Sequence, residues 1–559
     1  MDKSMRILIM VEVVVLGAIA LIILGFLADQ YDRASIVLAN RTALAQQTEV
    51  YIAILTALPP NAPANAGAIS ASPTRTITLS VSSTIVPTNT LPSTSLVSRT
   101  LTLSLTPGPS TTPRVSGTPA PPTPTRPTNT PRPTQAASLT SSSVSKCGSL
   151  DDSGNYKLTA DLSSSGDCIT VQTSYAILDC QGHTIRGANF QGYGIAVRKY
   201  GLLNGSTPAY VEIKNCNVSG YRYGIWVEAG KNLVVHDNNV SNNYDDTDSS
   251  RYGIFLGMVE GGGIRFNATT DSFILANTTT TQAIGIDVRT SSNIKVQGNI
   301  SSNNSAWGIN LIRTQASEVS SNQTADNVRK CTWGAGTVGF GCDAGGIAIQ
   351  DGSNGVLIAN NTVTGRNGNG IFIKAHAMPC GNNNTITGNN ISNVLYNAVE
   401  LGFCTGNKVN NNNIRGGLDG VWMGFSQNTE IKNNFVTGMS NHGIISGNSH
   451  NNIISGNNVV NSNEGLYFFT DDYDRVAFGF LQPGDYKSHD NCLCSNTLQS
   501  NSVAVHLKDS TNNQISSNIF QSNQRTILMQ GNSGGNQIQN NTGWVPFPFE
   551  WLLARTQSR

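Results

Sequence analysis

Five residues in the second half of the chain each sit one position ahead of a recurring phrase that opens on glycine or, after Asn397, on alanine: Asn369, Asn397, Asp419, His442 and Glu464. Asp419, His442 and Glu464 set two carboxylates on either side of an imidazole, and these residue types move protons near neutral pH. If each interval is one turn of a wound chain, successive members stand about 4.8 Å apart. Asp419 and Glu464 then lie on the order of 9 to 10 Å apart, near the upper end of the range for carboxylates that invert a glycosidic bond. These three are the candidate catalytic residues, and the competing expectation for them is a solvated corner ladder without chemistry.

A second set hangs on the same glycines. In the phrase Gly-Ile/Val-x-hydrophobic the Ile or Val points inward, so x points out, and x runs Ala196, Trp226, Phe255, Asp287, Asn310, Ala348, Phe372, Glu400, Trp422, Ile445, Tyr467, His506 and Leu528. Two residues further along come Arg198, Glu228, Arg289, Lys374 and Lys508. Aromatic rings interleaved with carboxylates on one flat sheet suit an extended sugar chain, and the cations suit acidic sugars. Trp226, Phe255, Asp287, Arg289, Phe372, Lys374, Glu400, Trp422 and Tyr467 are therefore the candidate substrate-binding residues. The alternative is that the insertions at 199–210, 244–251, 326–343 and 470–490 fold over this face and turn the aromatics into ordinary packing.

The phrase itself fixes the element that must carry these columns. It returns at Gly194, Gly224, Gly253, Gly285, Gly308, Gly346, Gly370, Gly420, Gly443 and Gly465, with variants at Ala398, Ala504 and Thr526, most often 22 to 24 residues apart. A period of that size marks a solenoid. Each unit holds short alternating apolar runs split by Asn-Asn, Gly-Asn and Ser-Asn, as in Asn452-Ile-Ile-Ser-Gly-Asn-Asn-Val459, and no stretch sustains a helical period. Asn and Gly accept the left-handed backbone of sharp corners, and stacked Asn side chains hydrogen-bond from turn to turn. The expected fold is all-β, a right-handed parallel β-helix of about thirteen coils.

The opening of this region, above all Ile177-Leu-Asp-Cys-Gln-Gly-His-Thr-Ile-Arg-Gly187, resembles the first coils of the parallel β-helix repeat superfamily, which includes pectate lyases, polygalacturonases, alginate epimerases and NosD-like proteins. Asn441-His442-Gly443-Ile444 is similar to the Gly-His-Gly motif of polygalacturonases, which implies that Asp419 matches one catalytic aspartate and His442 the histidine. The chain departs from that pattern: Asn397 stands where the other stacked aspartate belongs, Leu418 stands beside Asp419, and no Arg-x-Lys strand follows. The resemblance implies the fold across about residues 146–545. It does not give the function; the outward aromatic column points to a membrane-anchored cell-surface protein that binds extended polysaccharide, with a polysaccharide hydrolase, lyase or epimerase as the alternative and a structural envelope role third.

The rest of the chain reads as an anchor and a stalk. Ile7 to Leu27 is an apolar run interrupted only by Glu12, long enough to span a bilayer, and Lys3 and Arg6 before it place the N-terminus in the cytoplasm. The expected layout is an anchor over 1–28, a juxtamembrane helix over 29–57 and a disordered Ser/Thr/Pro linker over 58–145 that holds most of the prolines. A β-helix over 146–545 and a tail over 546–559 follow, with Trp544 to Leu553 closing the last coil. A net charge of +1 gives no ground for a nucleic-acid partner, so the expected partners are a glycan and the membrane.

Ten cysteines in an exported body read as disulfides; spacing suggests Cys147 with Cys168, Cys331 with Cys342 and Cys380 with Cys404, the comparable strands Leu178-Asp-Cys180 and Lys214-Asn-Cys216 suggest Cys180 with Cys216, and sequence alone leaves the connectivity open. Cys492 and Cys494 face one side of a strand and either pair with each other or bind a metal. Asp245, Asp246 and Asp248, and again Asp471, Asp472 and Asp474, gather oxygens suited to Ca2+, yet neither run matches an EF-hand or a glycine-rich nonapeptide loop. No cofactor and no metal are therefore expected, with Ca2+ as the alternative.

Overall fold

The computed structural model describes residues 140–199, 206–245, 261–328, 344–374, 380–471 and 484–543. Among them every regular element is a strand, and all strand pairings are parallel, in sheets of 17, 14 and 15 strands. The chain winds so that each turn gives a strand to each sheet and pairs with the turns before and after it, which is a parallel β-helix. Among the described residues no helix is long and apolar enough to cross a membrane. The anchor run, the juxtamembrane segment, the proline-rich linker up to residue 139, Phe255, Cys331, Cys342 and Trp544 to Leu553 lie outside the described residues.

The glycine phrase builds the 15-stranded sheet, here called the front sheet. Its inward file runs Ile225, Ile264, Ile286, Ile309, Ile347, Ile371, Val399, Val421, Ile444, Leu466 and Val505, all buried. Consecutive members are register partners, as Ile225 with Ile264, Ile264 with Ile286 and Ile286 with Ile309. Each side chain thus buries apolar area against its own copy one turn away, worth roughly 1.5–3 kcal/mol per residue. The glycine recurs because there is no room for a side chain: a Cβ at Gly443 would stand 2.2 Å from Val459 Cγ1 and 2.7 Å from the Gly465 carbonyl oxygen.

Asparagine shapes both corners and interior. Asn303, Asn393, Asn411 and Asn433 hold φ between 55° and 56° at sharp bends. A buried column runs from Asn238 through Asn277, Asn322, Asn389 and Asn457 to Asn541, each side-chain amide donating to the next carbonyl oxygen at 2.9–3.1 Å. The same oxygens accept backbone N–H groups, as Asn412 Oδ1 does from Asn389 N at 3.0 Å. Every member is satisfied by the turn above, so the column tolerates burial that an isolated amide would not.

Two features differ from the periodic reading. The front sheet has 15 strands rather than thirteen coils, because Gly148–Leu150 and Ile169–Val171 join it without the glycine phrase. The strand after Tyr223–Val227 is Gly262–Asn267, with Trp226 opposite Arg265 and Arg265 opposite Asp287. The residue standing between Trp226 and Asp287 in the file is therefore Arg265, and the phrase at Gly253 with Phe255 lies outside the described residues. Disulfides Cys147–Cys168, Cys180–Cys216 and Cys380–Cys404 tie consecutive turns, and Cys492 pairs with Cys494 within one strand.

Candidate functional site

The described candidate residues project from the outer face of the front sheet, and neighbouring strands align them. Asn397 is the register partner of Asp419, His442 of Glu464, Phe372 of Glu400, Glu400 of Trp422 and Tyr467 of His506. The face divides into three stretches of different character.

On the first turns Tyr193, Tyr223 and Trp226 stack, with Trp226 4.9 Å from Tyr193 and 5.1 Å from Tyr223. The Arg265 guanidinium lies 4.5 Å over the Tyr223 ring and 5.4 Å over Trp226. Arg265 also binds Asp287, Nη2 to Oδ2 at 2.6 Å and Nε to Oδ2 at 2.7 Å. Arg289 Nε donates to the same carboxylate at 2.9 Å, and Asn310 Nδ2 at 2.8 Å. Burial alone would raise the Asp287 carboxyl, but the two guanidinium charges and these hydrogen bonds override it and hold it below the ordinary aspartate value.

The middle turns correct the expectation of an open aromatic face. Phe372 is fully buried, packed with Ala283, Ile284, Ala306, Trp307 and Ala348 in an apolar cluster separate from the main core. Lys374 Nζ donates to Glu400 Oε1 at 2.9 Å, and Asn369 and Asn397 donate to Glu400 Oε2 at 3.2 and 3.0 Å, all four residues being buried. Asp287, Lys374, Glu400 and Phe372 are thus interior residues, because their partners lie one turn away and saturate them. Arg289 is spent on Asp287.

The last turns hold the cluster with chemical potential. Asp419, itself buried, accepts from the His442 backbone N–H at 3.0 Å and meets His442 Nδ1 at 2.7 Å. His442 Nε2 stands 3.6 Å from Glu464 Oε2, an oxygen that is buried without a hydrogen-bond partner. His506 Nδ1 meets Glu464 Oε1 at 3.0 Å, and its Nε2 meets Gln530 Oε1 at 3.2 Å. The Tyr467 ring is sandwiched between the two imidazoles, 5.2 Å from His442 and 4.5 Å from His506. Burial, followed by the charges of Glu464, Asp471 and Asp509, holds the Tyr467 hydroxyl above the ordinary phenol value, so it stays protonated.

In this arrangement Asp419 sits under His442 and fixes the ring; buried as it is, it has no path to a glycosidic oxygen. With Nδ1 against Asp419, His442 turns its Nε2 toward Glu464 Oε2 at 3.6 Å, a charge contact longer than a hydrogen bond. Asp419, His442, Glu464 and His506 form a relay wrapped around a neutral phenol, rather than an acid and a base facing each other across a water.

Two flat rings flank the relay. Trp422 lies across Gly424, where a Cβ would stand 2.3 Å from its ring, and Phe469 lies across Gly447, where a Cβ would stand 2.6 Å from its ring. Trp422, Tyr467 and Phe469 are half-buried, each with part of a ring facing outward.

Arg265 was missed in the sequence, although Gly263-Ile-Arg-Phe repeats the phrase ten residues after Gly253. His506 stood in the outward file without a role, and only its contact with Glu464 brings it into the cluster. Among the described residues no group of three or more His, Cys, Asp or Glu side chains is placed to hold a metal ion.

Residues 168–384 and 377–542 match the family model described as the right handed beta helix region. No curated protein matches the chain significantly. Among solved structures, the A-module of a mannuronan C-5 epimerase from Azotobacter vinelandii is 13% identical, with TM-score 0.37, over 70% of this chain and 92% of that one. An alginate lyase from Paenibacillus sp. is 15% identical, with TM-score 0.35, over 49% of this chain and 94% of that one. Tailspike protein 3 of bacteriophage CBA120 is 11% identical, with TM-score 0.37, over 71% of this chain and 56% of that one.

Proposed function

This chain belongs to the right handed beta helix family, and from that premise we propose that it acts on a polysaccharide by proton transfer at the relay around Tyr467. The observation that carries the reading is the phenol held between two imidazoles that share the Glu464 carboxylate. Tyr467 is the proton donor, Glu464 between His442 and His506 acts on it through its charge, and Asp419 is a positioning residue. Trp422 is the platform on which a sugar ring stacks, since a ring lying flat over a glycine offers its face to an apolar sugar face, whereas Phe469 is itself stacked on Tyr467 at 4.9 Å.

The cations of the front face favour a neutral glycan over an acidic one. Arg198 is paired with Asp167 at 2.8 Å, Arg265 and Arg289 with Asp287, and Lys374 with Glu400, while Lys508 faces Asp471 at 3.9 Å. The relay is itself bordered by Asp419, Glu464, Asp471 and Asp509, whose charges oppose a polyanion.

A second reading, glycan recognition without turnover, draws support from one observation: both ring nitrogens of His442 and of His506 face partners within the protein. Incubation of the full chain with a panel of neutral and acidic glycans separates the two. Under the catalytic reading the parent releases product, Tyr467→Phe loses turnover by about 10²–10⁴-fold while still retaining glycan, and Trp422→Ala weakens retention. Turnover by Tyr467→Phe at the parental rate refutes the catalytic role, and retention without product in the parent selects recognition. We place the β-helix outside the cell, held by the Ile7–Leu27 run through the proline-rich linker. The disulfides support an oxidising compartment, and protease accessibility of the β-helix on intact cells tests the placement.

A further inference from the structure

Four disulfides are formed among the described residues, and one of them does not act as a staple. Cys147–Cys168, Cys180–Cys216 and Cys380–Cys404 close loops of 21, 36 and 24 residues and tie one turn of the helix to the next. Cys168, Cys180, Cys216, Cys380 and Cys404 are buried in the core, and Cys147 packs against it. Cys492–Cys494 has a sequence separation of 2. It joins alternate residues of the single strand Cys492–Cys494, links no two turns, and restricts the unfolded chain far less than a longer loop does.

The placement of this pair suits exchange. Alternate residues of a strand share a face, and Leu493 between them points into the core at 0% exposure, so both sulfurs lie on the outer surface of the 17-stranded sheet, half-buried. The register neighbours of Cys492 are Ile453 on the preceding turn, 39% exposed, and Gln514 on the following turn, also exposed, so this sulfur lies on an exposed stretch of the sheet. The following turn puts Ser516 opposite Cys494. The Ser516 hydroxyl donates to Cys494 Sγ at 3.5 Å and accepts from Gln514 Nε2 at 3.0 Å. The two sulfurs are therefore unequal: a donor chain supports negative charge on Cys494 and none is seen at Cys492.

We propose that Cys492–Leu493–Cys494 is a thiol–disulfide exchange site that accepts two electrons from an exported dithiol. A thiolate of the reductant attacks Cys492 Sγ; the new S–S bond forms as the Cys492–Cys494 bond breaks, and Cys494 leaves as a thiolate stabilised by Ser516. The reductant's second thiolate then attacks its own sulfur in the mixed disulfide and releases Cys492. The reductant becomes a disulfide, and the pair, after taking up two protons, becomes a dithiol. A leaving thiolate that a hydrogen-bond donor supports departs more readily, which assigns Cys492 as the attacked sulfur and Cys494 as the leaving one.

The test uses the full chain, with dithiothreitol as the probe reductant and alkylation followed by peptide mass analysis as the readout. Cys492 and Cys494 are expected to become labelled at least about tenfold faster than Cys180 and Cys216, while circular dichroism stays unchanged. Ser516→Ala is expected to slow that labelling roughly threefold. With glutathione disulfide, Cys494→Ser is expected to trap an adduct at Cys492. The double variant Cys492→Ser/Cys494→Ser is expected to melt with the parent. Labelling no faster than at Cys180 and Cys216, or a double variant that loses as much melting temperature as Cys180→Ser/Cys216→Ser, would mark the pair as a structural bond and overturn the proposal.

Discussion

Replacing Asp287 by Asn removes one negative charge from a site where two guanidinium groups converge. Asp287 Oδ2 receives Arg265 Nη2 at 2.6 Å and Arg289 Nε at 2.9 Å, and the Asp287 and Arg265 side chains are 2% and 5% exposed. Removing one partner of a buried ion pair leaves uncompensated charge, and such changes cost about 3–5 kcal/mol. A folded body of roughly 400 residues has a melting entropy of about 0.8 kcal/mol per degree if it unfolds as one unit, so the melting temperature should fall by about 4–6 °C. Arg198→Ala is the control, because Arg198 and Asp167 are 32% and 31% exposed, and an exposed pair contributes about 0–1 kcal/mol, near one degree or less. Thermal melts by far-ultraviolet circular dichroism read both. An Asp287→Asn melt within a degree of the parent would refute the account of this file as sealed interior and return Asp287 to the accessible glycan face.

The remaining expectations probe the scaffold and a second charged cluster. Asn389→Leu removes the amide that accepts from Asn361 and donates to Ile358 O and Asn412 Oδ1, and stranding these buried groups should cost upward of about 3 kcal/mol in a denaturant melt. Gly443→Ala should cost about 1–3 kcal/mol by overpacking against Val459, whereas Gly148→Ala, with nothing within 4 Å, should leave stability unchanged. His236 lies between Glu212, at 3.2 Å, and Asp237, at 2.6 Å. Its hydrogen bond draws the Glu212 carboxyl from 4.5 down to about 2, against burial and with help from Lys214. Burial opposes the charged form of His236, but the two carboxylates raise it above its ordinary 6.5. The Glu212 contribution is present above pH 4.5 and lost as pH falls toward 2; the His236 contribution is present below pH 6.5 and lost as pH rises through the raised value. The gap in melting temperature between the parent and Glu212→Gln should therefore be widest between pH 4.5 and 6.5, and a gap that is flat with pH would refute the linkage.

Much of this molecule was legible in the sequence because a solenoid turns separation along the chain into distance. A glycine every 22 to 24 residues, with Ile or Val after it, required a stacked inward file. The same arithmetic brought His442 between Asp419 and Glu464 and paired the cysteines of three inter-turn disulfides. Periodicity has two blind spots. It cannot choose between two copies of a phrase ten residues apart, and reading only the copy at Gly253 leaves Gly263 and Arg265 out of the file. It also states which way a side chain points but not what meets it there.

Tertiary packing decided that second question. Phe372 points outward and is still buried, because Trp307, Ile284 and Ala348 from neighbouring turns close around it. Lys374 and Glu400 face outward and are spent on each other, since opposite charges one turn apart in a water-poor setting pair before any ligand arrives. Tyr467 became the centre of the candidate site only when the rings of His442 and His506 closed on both of its faces. The sequence determined the ladder and the order of its steps, because backbone pairing and core volume repeat with every turn. Which steps stay reachable depended on side-chain volume and charge across three or four turns at once, which no single repeat contains.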